Sequence, residues 1–137
     1  YPEEYVAPMR ADLTVAGFKE LKTIEEVDTE LNEAQGTKLV MVNSVCGCAA
    51  GAARPGVKAS LQNGAKPDKL LTVFAGVDME ATEEARKFFF PYPPSSPAIA
   101  LFKDGKLVHF IERHQIEGRP AYMIAEHLQH VYTEFCN

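Results

Sequence analysis

An unbroken apolar run, Leu39-Val40-Met41-Val42, empties within a few residues into Cys46-Gly47-Cys48 and then into an Ala/Gly-rich stretch, Ala49 to Ala53. Nothing else in the chain constrains its fold as much. A run without polar alternation reads as a strand buried on both faces. The small residues after it read as the first turn of a helix. At such a turn the helix macrodipole and unpaired N–H groups favour a thiolate, which lowers the pKa of a cysteine and raises its nucleophilicity. A second thiol two positions on can resolve whatever mixed disulfide the first one forms. The pattern implies thiol–disulfide chemistry.

Composition sets the bounds on that reading. A chain of 137 residues is one domain by length, residues 1–137, with enough sequence for a substantial core. The net charge of -5 and the lack of any basic run argue against a nucleic-acid partner. No apolar stretch approaches the ~18 residues that a membrane span needs. The stretch Tyr1-Pro2-Glu3-Glu4-Tyr5 carries no visible secretory signal, so the expected compartment is the cytosol. Three cysteines are an odd count with two nearly adjacent, which does not describe a disulfide-stapled secreted scaffold. In a reducing compartment they point to catalysis, redox sensing or metal.

Elements alternate along the rest of the chain. After an irregular or helical N-terminal arm, Gly17 to Lys22 reads as a short strand. Thr23 with Glu26 forms a capping box for a helix whose Ile24, Val27 and Leu31 share a face and which Gly36 ends. Lys38 to Ser44 is the buried strand. The helix from about Cys48 to Asn63 contains Pro55, which should kink it. Leu70 to Ala75 is a second buried strand, and Asp78 is placed to cap a helix reaching about Phe90. Pro97 to Phe102 and Lys106 to Ile111 form a hairpin around the Asp104-Gly105 turn. Pro120 suits the first turn of a last helix with a buried stripe of Ile124, Leu128, Val131 and Phe135. Phe88-Phe89-Phe90 followed by Pro91-Tyr92 is read as core, with an exposed apolar patch near the active-site loop as the alternative.

The order β-α-β-α-β-α-β-β-α implies an α/β fold, a central mixed sheet with helices on both faces. It resembles the thioredoxin architecture, with the cysteines at the C-terminal end of a central strand, where open α/β sheets place their chemistry. In thioredoxin-like folds a cis-proline precedes the corresponding hairpin strand and faces the cysteines. The resemblance therefore implies that Ser96-Pro97 is cis and walls the site, leaving the preceding backbone free to pair with an extended thiol substrate.

The segment Ser44-Val45-Cys46-Gly47-Cys48-Ala49-Ala50-Gly51-Ala52-Ala53-Arg54-Pro55 resembles the CGC segment of the bacilliredoxins. Pro8-Met9-Arg10, Leu13-Thr14, Gly17-Phe18 and Ser95-Ser96-Pro97-Ala98 resemble that family too, so the likeness spans essentially the whole chain. It implies removal of bacillithiol, as a thiol co-substrate with no bound cofactor, from S-thiolated client proteins. On this reading Cys46 attacks and Cys48 resolves, while Gly47, Ser96 and Pro97 shape the site. A single-residue spacer closes a tight ring, so the Cys46–Cys48 couple is expected to be more oxidising than one with a two-residue spacer.

Alternatives accompany each residue. General disulfide isomerase or reductase activity uses the same thiols. Binding of a soft ion, Cu(I) or Zn(II), by Cys46 and Cys48 needs a third ligand that the neighbouring sequence does not supply, and no metal is expected. Cys48 is either a resolving thiol or a structural one beside a monothiol Cys46. Arg54 either stabilises a thiolate or an anionic thiol, or lies solvated on the surface. Cys136 reads as a passive thiol, His127 and His130 as exposed helix histidines, and His109 and His114 carry no signal.

Overall fold

The computed structural model describes all residues 1–137. Helix α1 (Glu3–Thr14) precedes a two-residue strand β1 (Lys19–Glu20), then α2 (Ile24–Leu31) and β2 (Thr37–Asn43). A π-turn (Ala49–Ala53) runs into α3 (Arg54–Ser60), followed by β3 (Lys69–Phe74) and α4 (Met79–Lys87). The hairpin β4 (Ala98–Lys103) and β5 (Lys106–Ile111), a 3-10 turn (Arg113–Gln115) and α5 (Ala121–Phe135) complete the chain. The sheet order is β1-β3-β2-β4-β5. β1, β3 and β2 run parallel, and β4 is antiparallel to both β2 and β5.

Central β2 is buried at every position because its alternate side chains enter two different cores. Leu39 and Met41 join Phe18, Val57, Ile99, Leu101, Ile111, Ile116, Ile124 and Leu128 on one face. Val40 and Val42 join Leu21, Val27, Leu71, Val73, Ala81, Ala85 and Phe89 on the other. Burial of each such aliphatic side chain contributes on the order of 2 kcal/mol. The continuous apolar run is thus the signature of a two-sided strand.

Local signals account for most boundaries. The Thr23 hydroxyl accepts the Glu26 N–H at 3.1 Å while Glu26 Oε1 accepts the Thr23 N–H at 3.1 Å, so the capping box forms. Helix α2 stops at Leu31, short of Gly36, and the buried Lys38 ammonium donates to the carbonyls of Glu30 in its last turn and Glu33 just beyond it. Asp78 stands at the N-cap of α4 without capping it. Its carboxylate instead takes Arg10 of α1, at 2.7 and 3.1 Å, in a network that adds Glu20 at 2.7 Å and Glu3.

Two sequence expectations fail here. Pro55 does not kink a continuous α-helix; the irregularity precedes it, as the π-turn Ala49–Ala53, and Pro55 sits near the α3 N-terminus where its missing N–H costs nothing. Of the phenylalanine triplet only Phe89 is buried, against Phe102 and Phe110, while Phe90 is 83% exposed beside the cis Phe90–Pro91 bond. No helix is long and apolar enough to cross a membrane.

Candidate active site

Strand β2 ends at Asn43, whose side chain organises the turn that carries the thiols. Its Nδ2 donates to the Met9 carbonyl of α1 at 3.1 Å, and its Oδ1 accepts the Ser44 N–H and Arg54 Nη1, each at 2.9 Å. Arg54 also donates to the Ser44 carbonyl at 2.8 Å and to Asp12 of α1 at 3.2 Å. The arginine is only 4% exposed. It is therefore not a surface residue, and its hydrogen bonds go to Asp12, Asn43 and Ser44. It braces the strand-to-helix turn from behind.

That brace presents the cysteines forward. The Cys46 carbonyl accepts the N–H groups of Ala49 and Ala50 at 3.1 and 3.3 Å, so Cys46 occupies the N-cap position of the helical turn. Its own N–H donates to Ser44 Oγ at 3.2 Å. The Cys46 and Cys48 sulfurs are unbonded thiols 3.0 Å apart. Both are half-buried, whereas Gly47 between them is exposed with open space above it.

The two thiols titrate in opposite directions. Burial pushes Cys46 up, but the Cys48 thiol, the Ser44 hydroxyl, the Ala49 N–H and the Arg113 charge outweigh it and leave Cys46 below the ordinary thiol range. Burial also raises Cys48, whose S–H is held by the Cys46 sulfur and whose ionisation that neighbouring charge opposes; Arg113 offsets this in part and Glu117 adds to it. Protonated Cys48 and ionised Cys46 are the matched state of the pair.

The facing side is built from two loops. Ser96–Pro97 is cis. Because β4 pairs with β2 through Val42↔Ala98, Pro97 lies at the same sheet end as Asn43 and the turn after it. Pro97 is buried and Ser96 half-buried. The Ser96 carbonyl is not left free as expected: Arg113 Nη1 donates to it at 3.3 Å. The Arg113 N–H donates to Ser95 Oγ at 2.7 Å, and its Nε donates to Glu117 at 2.9 Å. Ile116, fully buried in the same core cluster against which Cys48 packs, anchors this β5–α5 loop.

Arg113 was missed from the sequence, although a signal existed. Continuing the Ile99↔Ile111 register of β4 and β5 outward brings Arg113 opposite Pro97.

The remaining candidates lie elsewhere. Cys136 is half-buried at the α5 terminus, its thiol raised by burial. His127 is not exposed: its Nε2 meets His109 Nε2 at 2.9 Å, which couples β5 to α5 and gives His109 a role. No cluster of three or more His, Cys, Asp or Glu side chains is arranged to hold a metal.

An engineered variant of thioredoxin from Halobacterium salinarum superposes with a TM-score of 0.58 at 14% identity, over 89% of this chain and 93% of that one, which shows the thioredoxin fold. The family model described as disulphide isomerase matches residues 1–136. A bacilliredoxin of Cytophaga hutchinsonii is 61% identical over 134 residues, 98% of each chain. One of Halalkalibacterium halodurans is 52% identical over 136 residues, 99% of this chain and 94% of that one. The chain belongs to the bacilliredoxin family and is a thiol–disulfide oxidoreductase of that type.

Proposed function

We propose that the chain removes bacillithiol from S-thiolated client proteins in the cytoplasm, with Cys46 as nucleophile and Cys48 as resolving thiol. The observation that carries this reading is the pair itself, two free sulfurs 3.0 Å apart whose thiols are shifted in opposite directions.

The Cys46 thiolate attacks the bacillithiol sulfur of the mixed disulfide. A Cys46–bacillithiol bond forms, the client S–S bond breaks, and its electron pair leaves on the client sulfur, which takes up a proton. Cys48 then loses its proton and attacks Cys46 Sγ. Bacillithiol leaves as a thiolate and a Cys46–Cys48 disulfide remains. A reductant of the dithiol or small-thiol class must supply two electrons to restore the pair. Attack requires the thiolate, and lowering Cys46 while raising Cys48 orders the two steps.

The test is release of bacillithiol from an S-bacillithiolated protein, followed by mass spectrometry. Cys46→Ser should lose the reaction by about three orders of magnitude, and Cys48→Ala should retain the first transfer and accumulate the Cys46 mixed disulfide. Equal release by Cys46→Ala protein refutes the assignment. Stoichiometric metal in reduced protein, lost on Cys46→Ser, would replace it with metal binding.

A further inference from the structure

We infer that Arg113 is a specificity-determining residue that receives an anionic group, a carboxylate, on the small thiol being transferred. The inference deepens the de-thiolation reading and rests on it for its biological substrate.

Three observations lead to it. First, Arg113 is placed rather than free: its backbone N–H is held by Ser95 Oγ, its Nη1 by the Ser96 carbonyl and its Nε by Glu117. Secondly, Nη2 has no protein partner, and the side chain is 45% exposed. A guanidinium fixed on two edges with its third nitrogen open offers a directed donor pair to a carboxylate. Thirdly, its charge lowers both thiols.

Arg54 provides the contrast in exposure: its Nε and Nη1 are likewise spent, on Asp12, Asn43 and Ser44, but it is only 4% exposed and offers no open edge to a ligand. A compact anionic thiol needs only the open guanidinium edge.

The test separates this from the choice of client. In a Cys48→Ala background, which isolates the first step, Cys46 is reacted with dithiodiglycolate (anionic), bis-hydroxyethyl disulfide (neutral) and cystamine (cationic). Adduct formation on Cys46 is followed by mass spectrometry. Each reaction forms one Cys46 mixed disulfide and releases one equivalent of small thiol. The anionic disulfide should react about tenfold faster than the cationic one at low salt, with the neutral one between. Added salt should narrow the spread.

Arg113→Gln should lower the anionic-to-cationic rate ratio about tenfold, and Arg113→Lys should restore part of it. The ratio cancels any change in Cys46 reactivity common to all three disulfides. An unchanged ratio in Arg113→Gln, or equal slowing of all three reactions, overturns the proposal. Because no protein client is present, failure of de-bacillithiolation with charge selectivity intact would sink only the client reading.

Discussion

The back and the front of the CGC turn are built on opposite terms. Behind it, Asn43, Ser44, Arg54 and Asp12 form a closed set of hydrogen bonds, and Arg54 is almost fully buried. In front, Gly47 is open, both thiols are free, and Arg113 keeps an unpartnered nitrogen. Two arginines near one turn therefore have separate uses. Each spends Nε and Nη1 on protein partners, so exposure separates them: the buried one is a brace, and the exposed one is available to a ligand.

Breaking the back should cost stability rather than chemistry. Arg54→Met strands the Ser44 carbonyl, leaves Asn43 Oδ1 with the Ser44 N–H alone and leaves Asp12 with Lys58 alone. A loss of about 3 kcal/mol in urea denaturation is expected, because removing one partner of a buried charge network leaves the others desolvated without compensation. The sequence set Arg54 between thiolate stabilisation and solvent, and its burial rules out the solvated surface. The π-turn adds a residue before α3 and so rotates the following positions by roughly 100° about the helix axis. Periodicity extrapolated from Cys48 cannot anticipate that rotation.

Two of the glycines in this region sharpen the same contrast. A Cβ on Gly56 of α3 would lie 2.6 Å from Ile124 Cβ and 2.9 Å from the Ala121 carbonyl of α5. Gly56→Ala should therefore destabilise by about 2 kcal/mol through overpacking. At Gly47 a Cβ meets nothing within 4 Å. Gly47→Ala should leave the thermal midpoint unchanged or slightly raised. If the two variants shift it equally, the distinction between a packed back and an open front is wrong.

Sequence range decides which of these features were legible in advance. The capping box, the hairpin and the two-sided strand β2 are local patterns, and each appears where expected. The cysteine pair was legible for the same reason, since strand, thiols and helix are contiguous. Arg113 was not, because it reaches the site only through pairing of β5 with β4 and anchoring of Ile116 in the core. Asp78 shows the converse failure: a local capping signal lost to a stronger distant partner, Arg10. His109 and His127 likewise met across an interface no local pattern encodes.

Cys48 stands where back and front join, packed against the core cluster yet with its thiol on Cys46. Its removal asks how much of the Cys46 shift belongs to the pair. Cys48→Ala deletes the thiol that most lowers Cys46 but leaves Ser44, the Ala49 N–H and Arg113 in place. The Cys46 value should therefore rise toward the ordinary thiol value of about 8.5. Since only the thiolate reacts, the rate of iodoacetamide alkylation at Cys46 should fall off at higher pH in the variant than in the wild type. An unchanged midpoint would mean that the turn and Arg113 alone hold the thiolate, and that Cys48 acts only after the first disulfide has formed.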